Sequence, residues 1–346
     1  MKAEIKFENI VAQQERGQLK VLFVASGNRK NYEVVPFIKV QGESLMQHGV
    51  EVTYFKVIGK GFSGYMRNVF MLRKLLVEQK FDLIHAHFTL SAWVAVLAGQ
   101  KIPIVLSLMG TDAYGKINGG SRKSFHYYTL LTYLIQPFVK KIISKSPNIE
   151  RVVWQKDKSF LLPNGVNLEK FYPTPKDFRK KLGLKEDGKY VLFLGNPEDP
   201  RKNFQLLEKV IPRLAIHGIE VLKPYPIPHV EVVEYLNSVD VLVMCSYEEG
   251  SPNVVKEAMA CNCKGVFTDV GDVSYLIQNT AGYQMSEFNE RSLVNGILSV
   301  IAMENCEGRK KIMELELELH KVAGKLKCIY LEAVEERGMV PLTSQV

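Results

Sequence analysis

One pattern limits the possible folds of this chain more than any other. A strand that ends in a glycine turn and is followed by a helix occurs twice, once in each half. Residues 18–27 form an apolar run closing on Gly27, and 36–48 follow with helical spacing. Residues 190–195 and 204–217 repeat the unit. Apolar runs without polar alternation suit strands buried on both faces, which belong to parallel sheets wrapped by helices. The first half continues with strands at 50–57, 81–87, 102–108, 141–144 and 159–162, and helices at 66–79, 90–99 and 122–140. After a stretch of turn formers from Pro163 to Pro173, the second half has strands at 219–222, 239–245 and 265–269. Helices are expected at 230–238, from Pro252 onward, and as one long charged stretch over 309–337. The expected fold class is α/β with two similar domains, 1–165 and 166–308, and a C-terminal segment 309–346. Ligands of such sheets sit at the carboxyl ends of the strands, so the site is expected in the cleft between the domains.

Charge divides along the same line. Residues 1–170 carry 24 Lys and Arg against 12 Asp and Glu; residues 171–346 carry 21 against 25. The basic first half implies an anionic partner, either phosphates or an acidic membrane surface. Nucleic acid is disfavoured, because the chain has no zinc-finger spacing and no RNP-like aromatic motif. Five cysteines are an odd, scattered set, which suits reduced thiols. Cys261-Asn-Cys263 lacks further ligands nearby, so no metal site is expected. The first twenty residues have no signal-peptide core, and the apolar run 90–99 is too short to span a bilayer. The expected location is cytoplasmic, peripheral at the inner face of the cell membrane.

The stretch Ser246-Tyr-Glu-Glu-Gly-Ser-Pro-Asn-Val-Val-Lys-Glu-Ala-Met-Ala260 carries the most chemistry. Glu249 follows an apolar strand, a Gly-Ser-Pro-Asn turn comes next, and Glu257 lies eight residues after Glu249. Ser251 suits an N-cap and Pro252 the first helical position. The new helix then points its free N–H groups at the loop beside Glu249. A helix start flanked by two carboxylates can hold an anion and grip hydroxyls together. A sugar attached to a nucleotide diphosphate offers both.

With Pro-Asn-Gly-Val-Asn at 163–167, Gly195 followed by Arg201-Lys202, Glu249-x7-Glu257 and Asp269-Val-Gly-Asp272 in that order, the chain resembles family 4 of the glycosyltransferases. Its Glu-Gly-Ser-Pro-Asn-Val-Val-Lys-Glu form looks most like members that build bacterial capsule and exopolysaccharide. The resemblance implies the GT-B architecture, two Rossmann-like domains facing across a cleft, with the C-terminal helix returning to the first. It implies a retaining, metal-independent transfer from a nucleotide diphosphate sugar to a glycan or lipid-linked saccharide, with no cofactor.

It also implies roles for residues. Glu257 holds the donor's ribose and Glu249 lies beside the donor sugar. The turn Gly250, Ser251, Pro252, Asn253 and Val254 contacts sugar and diphosphate. Arg201 and Lys202 neutralise the charge that grows on the departing diphosphate, which is usually the largest catalytic term. Gly27 faces the diphosphate, and His87 lies near the reacting sugar. Asn28 and Asp112 face the acceptor. His85 and His87 are expected to point apart, which disfavours a shared metal. The chain departs from the family at Asn196, where an Arg is usual, at Met109, where a His is common, and in the short proline-rich segment 219–229, which normally helps read the base. Two other readings stay open: a nucleotide-sugar 2-epimerase, and a non-catalytic nucleotide-sugar-binding protein. The basic stretch 122–141 is a candidate for contact with an anionic membrane.

Overall fold

The computed structural model describes residues 18–28, 33–59, 61–99, 101–114, 127–175 and 178–338. Its first unit runs β1 (Leu19–Ser26), α1 (Pro36–Gln47), β2 (Val50–Val57), α2 (Gly61–Glu78), β3 (Leu83–His87), α3 (Thr89–Leu97), β4 (Ile104–Leu108), α4 (Thr111–Tyr114), α5 (Tyr127–Ile135), β5 (Lys141–Ser144), α6 (Pro147–Glu150) and β6 (Ser159–Leu161). The second runs α7 (Phe178–Lys181), β7 (Lys189–Phe193), α8 (Phe204–Ile216), β8 (Ile219–Leu222), α9 (Val232–Ser238), β9 (Val241–Met244), α10 (Asn253–Ala260), β10 (Lys264–Thr268), α11 (Val273–Ile277), β11 (Tyr283–Ser286) and α12 (Glu290–Ala302). Two further helices follow, α13 (Gly308–Glu314) and α14 (Leu319–Gly338).

The strands form two parallel sheets, ordered β2-β1-β3-β4-β5-β6 and β11-β10-β9-β7-β8. This is the expected GT-B arrangement of two Rossmann-like units. Alternation along each strand feeds two cores. On β1, Val21 and Phe23 join a core that runs on through β7, β9 and α14, while Leu22 and Val24 join one beneath α2 and α3. The facing core is thus continuous across both units. A third cluster lies on the far face of the second sheet, around Val191, Val243 and Val266.

Several expectations needed correction. The stretch 309–337 is two helices, not one. Between them Glu316 takes φ 51 and Glu318 forms a parallel bridge with Val166. Val166 N–H donates to Leu317 O at 2.9 Å, and Leu319 N–H to Val166 O at 2.9 Å. The break lets the chain pair with the linker before α14 crosses to the first sheet. Gly165 makes that crossing feasible, since a Cβ there would lie 2.7 Å from Leu319 Cα. Across the seam, Tyr330 and His85 Nδ1 approach to 2.5 Å, and Lys141 pairs with Glu332 at 3.3 Å and Glu336 at 2.9 Å. Of the expected 122–140 helix, 122–126 lie outside the described residues; α5 covers Tyr127–Ile135 and a 3-10 turn follows. The sequence reading also missed β11 and α12.

His85 and His87 do not point apart. Residues two apart on a strand share a face, and the two rings lie 4.1 Å apart between centroids. The helix start at Pro252 also shifts. Pro252 is itself the N-cap, in extended conformation, and α10 begins at Asn253. Ser251 does not cap; its hydroxyl donates to Asp272 Oδ2 at 2.6 Å and accepts from Lys256 Nζ at 2.8 Å.

Candidate active site

Two cavities flank the loop from β9 to α10. One, about 520 Å³, is walled by Ser26, His87 and Met109 at the strand ends of the first unit, and by Arg201, Lys202, Glu249 and Gly250 of the second. The other, about 550 Å³, is lined by Asn253, Lys256 and Glu257 of α10, by Asn164 and Asn167 of the linker, and by one face of α1. Phe37 borders both. The two carboxylates of the Glu249-x7-Glu257 motif therefore serve different cavities, with the turn between them as a shared rim.

Glycines bring the two units into contact at that rim. A Cβ on Gly250 would fall 2.0 Å from Met109 O, and one on Gly110 would fall 3.0 Å from Gly250 Cα. Gly271, at φ +63, has Gly250 O at 2.8 Å from its Cβ position. Asn148 Nδ2 adds a bond to Gly271 O at 2.6 Å. Any side chain at Gly250 would push the β4 and β9 loops apart.

Around the first cavity, the second unit's charges are paired. Lys202 Nζ lies 2.6 Å from Glu249 Oε1, which also accepts from Ser246 Oγ at 3.0 Å. Arg201 makes a fork to Asp199, with Nε at 3.1 Å and Nη2 at 2.6 Å. That guanidinium holds Asp199 below the ordinary carboxylate range, against partial burial. The unusual Asn196 shapes this turn, its Oδ1 accepting from Glu198 N–H at 3.0 Å.

The first unit differs. His87 is buried against Phe23, and both its ring nitrogens lack a hydrogen-bond partner among the described residues. Burial, then Lys145, pushes it well below its ordinary pKa, so it is neutral near pH 7. His85 is occupied by Tyr330 and by Ser107 Oγ at 2.8 Å. Next to His87, Phe88 adopts φ 86, a costly backbone state for a bulky residue.

Asp112 does not reach an acceptor space. It is fully buried, and Oδ1 accepts from the N–H groups of Met109 and Gly110, both at 2.9 Å, while Oδ2 accepts from Thr89 N–H at 3.1 Å. Its carboxylate holds the Met109-Gly110 loop against Gly250. Asn28 also spends its side chain on backbone, exchanging bonds with Gly59 at 2.9 and 2.8 Å. Gly27 packs beneath Ile58 and Lys56, each 3.0 Å from its Cβ position. Pro252 and Val254 sit on the rim with Ser251, without a hydrogen-bonding side chain.

At the second cavity, Glu257 Oε1 meets His229 Nε2 at 2.8 Å, and Lys170 Nζ lies 3.1 Å from His229 Nδ1. His229 belongs to the short proline-rich segment, and its reach to Glu257 left no signal in the sequence. Lys256 and Asp272 were also missed as a pair, although both stand inside quoted motifs. Burial lowers Lys256, opposed by Asp272 and Glu257; burial raises Asp272, opposed by Lys256.

Comparisons with known proteins agree with this fold. The profile of Glycosyltransferase Family 4 matches residues 9–170, and that of Glycosyl transferases group 1 matches 217–303. The putative teichuronic acid biosynthesis glycosyltransferase TuaC of Bacillus subtilis is 29% identical over 218 residues, 56% of this chain and 55% of that protein. The chain thus aligns with about half the length of TuaC. The UDP-Gal:alpha-D-GlcNAc-diphosphoundecaprenol alpha-1,3-galactosyltransferase of Escherichia coli is 25% identical over 323 residues, 78% of this chain and 80% of that protein. Among solved structures, sucrose-phosphate synthase from Thermosynechococcus elongatus superposes with a TM-score of 0.76 at 18% identity, covering 92% of this chain and 100% of that one. Anabaena HepE in complex with UDP superposes at 0.66 with 15% identity, covering 89% and 98%. At these identities the structural matches show the fold alone.

Proposed function

The chain belongs to the family 4, group 1 glycosyltransferases, and from that premise we propose a retaining, metal-independent transfer of a sugar from a nucleotide diphosphate sugar to a saccharide or lipid-linked saccharide in bacterial surface polysaccharide synthesis. The carrying observation is the split of the two glutamates between two cavities joined at one rim. A nucleotide diphosphate sugar has that shape: a hydroxyl-bearing nucleoside, a short anionic bridge and a second hydroxyl-bearing ring. Glu257 would accept from the ribose hydroxyls, displacing or sharing His229. Glu249 would face the donor sugar, and the rim amides from Gly250 to Val254 would meet sugar and bridge.

As the sugar departs, negative charge grows on the diphosphate. Lys202 and Arg201 border the same cavity and supply fixed positive charge there. In the retaining course, the departing phosphate takes the acceptor hydroxyl's proton on the face it leaves. His87, neutral and with both ring nitrogens unpartnered among the described residues, would bond a sugar hydroxyl. The UDP-bound HepE and the lipid-diphosphate substrate in the galactosyltransferase's name motivate the proposed substrate classes.

Thermal shift against UDP, GDP, ADP, CDP and dTDP and their sugars identifies the donor, since a ligand of the folded state raises Tm with its affinity. Glu257→Ala should weaken the best ligand about tenfold, the scale of a lost charged hydrogen bond. Product of inverted anomeric configuration by NMR would overturn the retaining course. Loss of transfer in EDTA would overturn metal independence, and epimerised donor without acceptor would point to the 2-epimerase.

No described helix is long and apolar enough to cross a membrane. Contact at the inner face of the cell membrane is proposed through the exposed Leu130, Leu134, Phe138 and Trp154 beside the basic first half. Leu134→Glu should release the protein from anionic liposomes; unchanged sedimentation would count against this face.

A further inference from the structure

The sequence offers Asn28 and Asp112 to the acceptor, and the fold spends both side chains on backbone. The first unit still contributes a wall to the cavity of Glu249, and that wall is aromatic. Tyr65 of α2, Phe88 at the start of α3 and Tyr128 of α5 line it, while Arg201, Lys202 and Glu249 line it from the second unit. Phe88 and Tyr128 meet edge to face, with ring centroids 5.8 Å apart and planes at 73°. All three aromatic residues are only partly buried.

Local structure holds two of these rings in place. Phe88 follows His87 at the carboxyl end of β3. Its N–H donates to Ser107 O at 3.0 Å, and the next N–H, of Thr89, donates to Asp112 Oδ2 at 3.1 Å. At those bonds Phe88 is held at φ 86, a state that a bulky residue adopts at a cost. Its ring recovers no full burial in return; it stands at the cavity. On α5, Tyr128 shares a face with Thr132 and Ile135, both fully buried, whereas Tyr127, Leu130 and Leu134 on another face are exposed. Thr132 Oγ1 donates to Asp112 O at 2.8 Å, which ties the inward face of α5 to α4.

We propose that Phe88 and Tyr128 form the platform for the acceptor, on which one of its pyranose rings lies by its C–H face. This rests on the reading that places the donor sugar beside Glu249 in the same cavity. An aromatic ring is negative on its face, and the C–H bonds on one side of a pyranose turn weakly positive hydrogens toward it. The hydroxyls on the ring's edge then meet polar groups of the same wall, among them Thr111 and His87. That polar content selects the saccharide end of the acceptor over a lipid chain. Both nitrogens of buried His87 are unpartnered among the described residues, and a hydrocarbon chain would leave them so, at a cost. Phe88 and Tyr128 act as specificity residues: they hold the acceptor ring and take no part in gripping the nucleotide.

The test is saturation-transfer NMR with the methyl glycosides of glucose, galactose, mannose and N-acetylglucosamine, and with 1-octanol as a chain without a ring. Irradiating the aromatic resonances of the wild type should saturate at least one glycoside, more strongly at its ring C–H protons than at its methyl group. Tyr128→Leu keeps apolar bulk but removes the ring, and should weaken that glycoside about tenfold. Tyr128→Phe keeps the ring and should lose clearly less. Both variants should melt at the wild-type Tm and keep its shift with the preferred nucleoside diphosphate. Unchanged glycoside affinity in a folded Tyr128→Leu overturns the proposal, and equal losses in the two variants overturn the stacking. A wild type that binds none of the four glycosides, or binds only octanol, overturns it even if Tyr128→Leu fails to fold. If no nucleoside diphosphate raises Tm, the donor reading falls on its own readout, and the acceptor assignment that rests on it falls too.

Discussion

The two walls of the cleft satisfy their titratable side chains in different ways. On the second unit Lys202 meets Glu249, Arg201 meets Asp199, and Glu257 meets His229. On the first unit, His87 and Lys145 are buried with no partner among the described residues. Paired groups at a surface can be held in place without a ligand, at little electrostatic cost. Unpaired groups in an apolar setting are expensive and persist only where something else stabilises them. The charged pairs of the second wall are therefore preorganised, although Asn253 Oδ1 and Asp272 Oδ1 beside them also lack a hydrogen-bond partner among the described residues.

The largest effect should come from breaking a pair on the preorganised wall. Lys202→Ala removes positive charge at the departing diphosphate and strips Glu249 of its closest partner. Steady-state kinetics should show kcat lower by about 10²–10³-fold, the scale of one lost charge-stabilising donor, with a smaller change in donor KM. A wild-type kcat would mean that the diphosphate does not develop its charge beside Lys202.

The same contrast explains how legible the molecule was. Strand runs such as Val50–Val57 and Lys141–Ser144 are legible to the residue: Lys141–Ser144 is buried along its whole length, and Val50–Val57, the half-buried edge strand, is rich in β-branched and aromatic residues. The Glu249-x7-Glu257 spacing was legible for a similar reason: one loop and one helix start carry it, so proximity in sequence is proximity in space. The first wall is assembled from the ends of β1, β2, β3 and β4, far apart in the chain. No spacing announces that Lys145 is buried without a hydrogen-bond partner among the described residues, or that Asp112 turns inward to bind Met109 and Gly110. The split at Leu315–Glu318 was hidden because its cause, a bridge to Val166, is a tertiary contact. β11, with Gln284 and Ser286 among its four residues, is too short and too polar to read as a buried strand.

A middle-sized effect should come from the seam between the walls. Tyr330 of α14 is fully buried, and its hydroxyl is the partner of His85 Nδ1 across it. Tyr330→Phe keeps the ring and leaves a buried nitrogen unsatisfied, a loss of about 1–3 kcal/mol. Thermal melting should show a Tm lower by a few degrees, roughly 2–4 °C per kcal/mol for a protein of this class. An unchanged Tm would mean that ring packing alone holds α14 there.

The smallest effect should come from Lys140, and it separates two accounts of the basic first half. By sequence, Lys140 and Lys141 close a basic stretch facing a membrane. In the fold, both ammonium groups point to α14: Lys140 lies 2.9 Å from Glu336, and Lys141 is buried beside Glu332 and Glu336. Charge neutralised within the fold adds little attraction to an anionic surface. Lys140→Glu should thus leave sedimentation with anionic liposomes unchanged. It should lower stability by about 1 kcal/mol or less, because the pair is half exposed and screened. Leu134→Glu, on the exposed apolar face of α5, should act the other way, losing liposomes without losing Tm. If Lys140→Glu alone releases the protein from liposomes, the membrane reads the net charge of the first unit, and the apolar face of α5 is only its neighbour.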